Sequence, residues 1–227
     1  MLIIGCPVKN DLKCLHQMIN SLFTSTQSFD KLVLVDGNST DGTKEYIDYL
    51  AKVDSKIQAI HLNSKTPLEA YNFLFKMAET AESDLFLTQT DVIFPKLYNR
   101  DWLKEMKEIA WTDKVGAVTT INGGGISGPD YLDGFRWLGG WATYLPFRTL
   151  KLGGYDENFP EGQYGVDIAH TLEIIKSGLQ IITINYWVDH HLGNSRGHDK
   201  HPDTEKHKAE CARYFRRKYK LGEFTNA

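Results

Sequence analysis

Three aspartates sit where two apolar runs end and a helical pattern begins. Asp36 closes the run Leu-Val-Leu-Val, Asp91 arrives just past Asp-Leu-Phe-Leu-Thr, and Asp167 stands at the head of a helical pattern. A carboxylate at the end of a buried strand can accept a hydrogen bond from a pyrimidine N–H or a ribose hydroxyl. That chemistry suits Asp36, which opens the run Asp36-Gly37-Asn38-Ser39-Thr40-Asp41-Gly42-Thr43. A polar turn with Thr40 or Asp41 as helix cap explains Ser39 to Thr43 without any ligand, and explains Asp36 less well. Taken as isolated residues, Asp91 and Asp167 read as helix caps. Farther on, Asp189, His190, His191, His198 and His201 crowd one short stretch. Their spacing matches no known zinc arrangement and no cysteine joins them, which weighs against zinc hydrolase chemistry.

The elements that must hold these residues alternate from the start of the chain. Short apolar runs at 2–6, 32–35, 57–62 and 85–88 predict strands, and the patterns at 11–25, 41–51 and 67–81 predict helices. This βαβα order demands a mostly parallel sheet covered by helices. Ligands of such sheets lie beyond the carboxyl ends of the strands, so the polar ends at Pro7 to Asn10, Asp36 to Ser39 and Gln89 to Asp91 are candidates for one site. The second half carries a helix over 102–109, a strand over 115–120 and a glycine-rich loop over 122–128. An aromatic stretch, a helix over 166–177, a strand over 179–184, the histidine-rich loop and a charged helix over 203–219 follow.

With the order of these segments in view, the chain resembles the family-two glycosyltransferases. The run at residues 35–43 is similar to that family's VDDGSTDGT-like signature, and Pro7-Val8-Lys9-Asn10 to its P-x-x-N element. Gln89-Thr90-Asp91 looks like the family's Asp-x-Asp metal motif with only the last aspartate kept, and Ala70-Tyr71-Asn72 resembles its A-x-N element. Leu152-Gly153-Gly154-Tyr155-Asp156-Glu157-Asn158-Phe159 looks like L-G-G-F-D-E-x-F, and Asp167 falls where the family places a carboxylate under the acceptor hydroxyl. Val188-Asp189-His190-His191-Leu192-Gly193-Asn194-Ser195 is similar to the V-x-H-H-x-G-x-S loop.

The resemblance implies the GT-A fold, an α/β architecture with a Rossmann-like, mostly parallel central sheet flanked by helices and a C-terminal acceptor-side region. It implies a nucleotide-sugar site drawn from Pro7, Lys9, Asn10, Asp36, Asn38, Asn72, Gln89, Thr90, Ser195 and Arg196. Asp91, with His190 or His191, would hold Mn2+ or Mg2+, whose charge offsets that of a diphosphate leaving group. Asp167 would be the base of an inverting transfer, taking the proton from an attacking hydroxyl. Gly37 and Val166 stand where many members carry a second acidic residue, and Gln89 and Thr90 thin the metal motif further.

Aromatic residues Tyr131, Phe135, Trp137, Trp141 and Tyr144 cluster between the glycine-rich loop and the second carboxylate motif. Ring faces of this kind stack on sugars, and core packing is the competing use. Trp137 and Trp141, four apart and able to share one helix face, are the candidate acceptor platform. The run Arg213-Tyr-Phe-Arg216-Arg217-Lys218-Tyr219-Lys220 suits the end of a solvated helix better than a nucleic-acid or membrane arm.

Composition sets the outer limits. The 227 residues contain 41% hydrophobic and 24% charged side chains, ordinary for a globular protein, with a net charge of -3 that supplies no overall pull toward nucleic acid or anionic lipid. Three cysteines, Cys6, Cys14 and Cys211, make no disulfide framework, and no run is apolar for the roughly 18 residues of a membrane span. A reducing, cytoplasmic setting is expected. We expect one glycosyltransferase domain over 1–196, divided into a nucleotide-sugar half at 1–94 and an acceptor half at 95–196, with a helical appendage at 197–227. The donor is a nucleoside diphosphate sugar, and the acceptor is a hydroxyl of a glycan, small molecule, lipid or modified nucleic acid. The alternatives are a sugar-phosphate nucleotidyltransferase, against which the lack of a glycine-rich loop after the first strand argues, and a catalytically inactive nucleotide-binding module.

Overall fold

A computed structural model describes residues 1–121, 137–160, 163–190 and 203–220. The elements of its first half are β1 (Leu2–Val8), α1 (Leu12–Ser25), β2 (Lys31–Asp36), α2 (Thr43–Val53), β3 (Ile57–His61), α3 (Pro67–Thr80), β4 (Asp84–Thr88) and β5 (Val92–Ile93). Then come α4 (Trp102–Ala110), β6 (Val115–Thr120), β7 (Ala142–Leu145), α5 (Phe147–Leu150), α6 (Val166–Lys176), β8 (Gln180–Ile184), β9 (Asp189–His190) and α7 (Thr204–Tyr219).

Seven strands form one sheet in the order β3-β2-β1-β4-β7-β6-β8, and β5 and β9 form a separate ribbon. The pairs β1–β2, β1–β4, β2–β3 and β6–β8 are parallel, while β7 runs antiparallel to both β4 and β6. Reversing at β7 returns β6 and β8 to the direction of β4. The carboxyl ends of β1, β2, β4, β6 and β8 therefore open on the same side, where the ligand of such a sheet lies.

Strand β1 shows how the layers form. Its alternate residues Leu2, Ile4, Cys6 and Val8 face Leu15, Met18 and Leu22 of α1 and Trp102, Leu103 and Met106 of α4 in one core cluster. Ile3 joins Val33, Val35, Leu85 and Leu87 against Leu68, Leu74 and Phe75 of α3 in a second. The period-two alternation thus feeds helices on both faces. At Gly5 an added Cβ would lie 2.9 Å from Leu74, so the absence of a side chain lets α3 settle on the sheet.

A third cluster brings Phe159, Ile168 and Ala169 together with Cys211 and Phe215 of α7. Tyr219 donates to Ala169 O at 3.1 Å, and both Tyr214 and Lys218 bond Asp156 Oδ2, at 2.7 and 2.9 Å. Helix α7 therefore packs on α6 and on the Tyr155–Phe159 loop, with part of its basic character spent on an internal ion pair. The segment 137–141 is not helical, because Gly139 and Gly140 interrupt it; Trp137 and Trp141 instead meet edge to face, with ring centroids 5.7 Å apart. Among the described residues no helix is long and apolar enough to cross a membrane.

Candidate active site at the carboxyl ends of the strands

Two loops, after β1 and after β2, are sewn together by their polar residues. Asn10, with φ 51°, donates its main-chain N–H to Ser39 Oγ at 2.8 Å, and its Oδ1 accepts the Thr40 N–H at 2.7 Å. Asp41 accepts from Leu12 N and Thr43 N, both within 3.2 Å, tying the start of α1 to the start of α2. Asp36 is fully buried beneath this junction. Its Oδ1 accepts the Ser39 N–H at 3.1 Å, and its Oδ2 lies 3.3 Å from His61 Nδ1. The other ring nitrogen of His61 lies 2.9 Å from Asp48, and its hydrogen bond there, opposed by burial and helped by Asp36, raises the His61 pKa. The rim above consists of Asn38, at φ 65° with Nδ2 donating to Asn63 Oδ1 at 2.7 Å, and of Gly37 between Lys9 and Ser64. Pro7, within β1, pairs in register with Val35.

The β4 end is built differently. Gln89 Nε2 donates to the Tyr71 hydroxyl at 2.7 Å, and Thr90 Oγ1 donates to Asp11 Oδ2. Asp91 is 2% exposed, and no helix begins there; β5 follows at once. Because β5 pairs with β9 in the register Val92 with His190, the imidazole arrives beside this aspartate, with His190 Nε2 3.4 Å from Asp91 Oδ1. Trp141 stacks on the imidazole, centroids 4.5 Å apart and planes inclined by 16°, so one indole face is occupied by His190. Burial first, and then the nearby charges of Asp91 and Asp11, push the Cys6 thiol far up.

Asp11 was not singled out from the sequence. The signal was its place, one residue past the Pro7-Val8-Lys9-Asn10 element at the mouth of β1, where it meets both Thr90 and Thr43.

On the far side, Asp167 lies in the first turn of α6, after Gly165 at φ 86°, and its Oδ1 accepts the Ile168 N–H at 2.9 Å. Thr171 links this turn to the tryptophan segment, donating to Asp167 O at 2.7 Å and accepting from Leu138 N at 3.0 Å. Asn72 is a brace: Nδ2 donates to Tyr155 O and Glu157 Oε1, and Oδ1 accepts the Tyr155 N–H. The structure thus joins Asn10 to the Ser39–Thr40 turn, and Asp91 to His190 and Trp141, while Asn72 serves the Tyr155 loop. His191, Ser195, Arg196, His198, His201, Tyr131, Phe135 and the glycine-rich loop lie outside the described residues.

Carboxylate oxygen is a donor that Mn2+ and Mg2+ both accept, whereas imidazole nitrogen suits the softer Mn2+ better than Mg2+. Among the described residues no three His, Cys, Asp or Glu groups converge as a complete cage. The Asp91–His190 pair accordingly fits a cation that takes its other ligands from diphosphate oxygens and water, as Mg2+ commonly does.

Residues 3–89 match the family model for Glycosyl transferase family 2. A mannosyltransferase, PcManGT from Pyrobaculum calidifontis, solved with GDP-Man and Mn2+, superposes with a TM-score of 0.62 at 20% identity, covering 81% of this chain and 54% of that one. GalNAc-T7, solved with UDP, GalNAc and Mn2+, gives a TM-score of 0.68 at 13% identity over 84% of this chain and 43% of its own. S. aureus TarS 1-349 with UDP-GlcNAc gives 0.59 at 16% identity, covering 82% and 57%. No curated protein matches. The chain has the GT-A fold, its residues 3–89 are similar to Glycosyl transferase family 2, and it spans about half the length of these solved chains.

Proposed function

We propose that this protein is a metal-dependent glycosyltransferase that moves a sugar from a nucleoside diphosphate sugar to a hydroxyl acceptor with inversion. The observation that carries the proposal is the meeting of Asp91 and His190, 3.4 Å apart, at the mouth of a sheet whose first half matches Glycosyl transferase family 2. The nucleotide sugars and Mn2+ bound by the structural neighbours support the same donor class.

In this reading the turn held by Asp36 presents Asn38 and Lys9 to the nucleoside, while Asn10 fixes the spacing of the two loops. Gln89 and Thr90 line the path toward the diphosphate, and Ser195 and Arg196 contribute from the histidine loop. Held by Asp91 with His190 or His191, Mn2+ or Mg2+ would offset diphosphate charge and so favour its departure. The acceptor hydroxyl oxygen forms a bond to the anomeric carbon as the bond from that carbon to the diphosphate oxygen breaks, and the hydroxyl proton passes to Asp167. Trp137 and Trp141 contribute rings on the acceptor side. A cytoplasmic setting completes the proposal.

The test is nucleotide release from UDP- and GDP-sugars with Mn2+ or Mg2+, with a mixed hydroxyl acceptor panel. Turnover by the wild type and a loss of about 100-fold or more in Asp167→Asn is expected. Donor binding with undiminished turnover in Asp167→Asn would remove Asp167 as base, and the absence of turnover with every donor would remove the enzymatic reading.

A further inference from the structure

We infer that Trp141 is a positioning residue for His190, holding its imidazole against Asp91. The inference rests on the cation reading above. Strand β9 has only two residues and touches β5 at two register pairs, Val92 with His190 and Ile93 with Asp189. So short a ribbon places the His190 backbone but leaves its side-chain torsions to its surroundings. The surroundings supply a flat wall: the indole of Trp141 lies nearly parallel to the imidazole at 4.5 Å, and the His190 side chain is only 12% exposed.

The wall is itself fixed to the central sheet. Gly139 leaves room for the indole, since a Cβ there would run into its six-membered ring. The Gly139 carbonyl accepts the Thr143 hydroxyl at 2.7 Å, and Thr143 belongs to β7, paired with both Leu87 and Thr119. Trp137 meets Trp141 edge-on and packs on the cluster that holds Phe159, Ile168 and Ala169. Rigidity therefore passes from β7 through the indole to the imidazole. The electron-rich indole face also suits an imidazole that shares its electrons with a cation and becomes more positive. Groups that orient a metal-binding histidine change metal affinity without touching the metal, typically by 10- to 100-fold.

The test is titration of the full chain with Mn2+, alone and with UDP or GDP, followed by the electron paramagnetic resonance signal of free Mn2+. Trp141→Met keeps bulk without a planar face and is expected to weaken Mn2+ binding by about 10-fold, whereas Trp141→Phe keeps the stack and recovers most of it. Thermal melts of both variants establish that they are folded. A folded Trp141→Met that binds as tightly as the wild type overturns the positioning role alone. A wild type that binds no Mn2+ under either condition overturns the cation reading and this inference with it. Independently of metal, the His190 ring protons of the wild type should show an upfield ring-current displacement in magnetic resonance spectra that disappears in Trp141→Met, and its absence also overturns the inference.

Discussion

Asn72 grips the main chain of Tyr155 from both sides, donating from Nδ2 to Tyr155 O at 2.9 Å and accepting the Tyr155 N–H on Oδ1 at 2.7 Å. The neighbouring Gly154 makes this approach possible, because a Cβ at that position would collide with the Asn72 side-chain oxygen. One helical asparagine thereby anchors the loop that leads to α6. Asn72→Leu leaves both backbone groups unmatched and should cost about 2–4 kcal/mol in denaturant unfolding, while Asn72→Asp keeps the acceptor but sets a carboxylate against Tyr155 O and Glu157 and should also destabilise. Wild-type stability in Asn72→Leu, together with lost donor affinity, would show that Asn72 acts on the sugar nucleotide instead.

His170 gives a stability that depends on pH. Its ring is packed edge to face with Phe75 and Tyr155, and among the described residues its buried Nε2 has no hydrogen-bond partner. Burial, only partly offset by a hydrogen bond to the Gly153 backbone and the charge of Glu173, lowers its pKa from 6.5 to about 4. As pH falls, the unfolded chain takes up this proton first, so folding stability declines between 6.5 and about 4. The depression corresponds to roughly 3 kcal/mol at most. Urea midpoints measured across this window should fall more steeply for the wild type than for His170→Phe, and parallel slopes would contradict the assignment.

Asp156 works in the opposite sense. Burial raises its pKa, but bonds from Lys218, the Asn158 main chain and Tyr214 outweigh it and hold the group at about 2. A carboxylate held low stabilises the fold above its unfolded pKa and loses that contribution as pH falls toward 2. Lys218→Met should lower the melting temperature at pH 7 by a few degrees, with the difference from wild type shrinking near pH 2. A difference that persists unchanged into acid would assign the effect to packing of the lysine stem.

Much of the first half was legible because its strands are short, apolar and separated by amphipathic helices. Strand β6 matches its expected bounds, and β1 and β2 exceed theirs by only a residue or two, since Val8 and Lys31 continue pairings that the apolar runs establish. Strand β7 was hidden: Ala142, Thr143, Tyr144 and Leu145 are all buried, so they show no alternation, and the neighbouring tryptophans suit ligand stacking as well as core packing. The ribbon of β5 and β9 was hidden for another reason. Two-residue strands carry no periodicity, so only the fold could show that His190 lies beside Asp91. Asp36 was legible as an important carboxylate, but its burial under Ser39 and against His61 depends on β3 ending where it does.

The β5–β9 ribbon also governs when the site comes into being. Asp91 belongs to the first half of the chain, and β6, β7 and β8 lie between it and His190 in sequence. Closing so long a loop is entropically slow, and on the ribosome the nucleotide-facing half emerges well before its histidine. The Asp91–His190 pairing is thus a contact between distant parts of the chain, and a chain interrupted ahead of β9 would lack half of the pair.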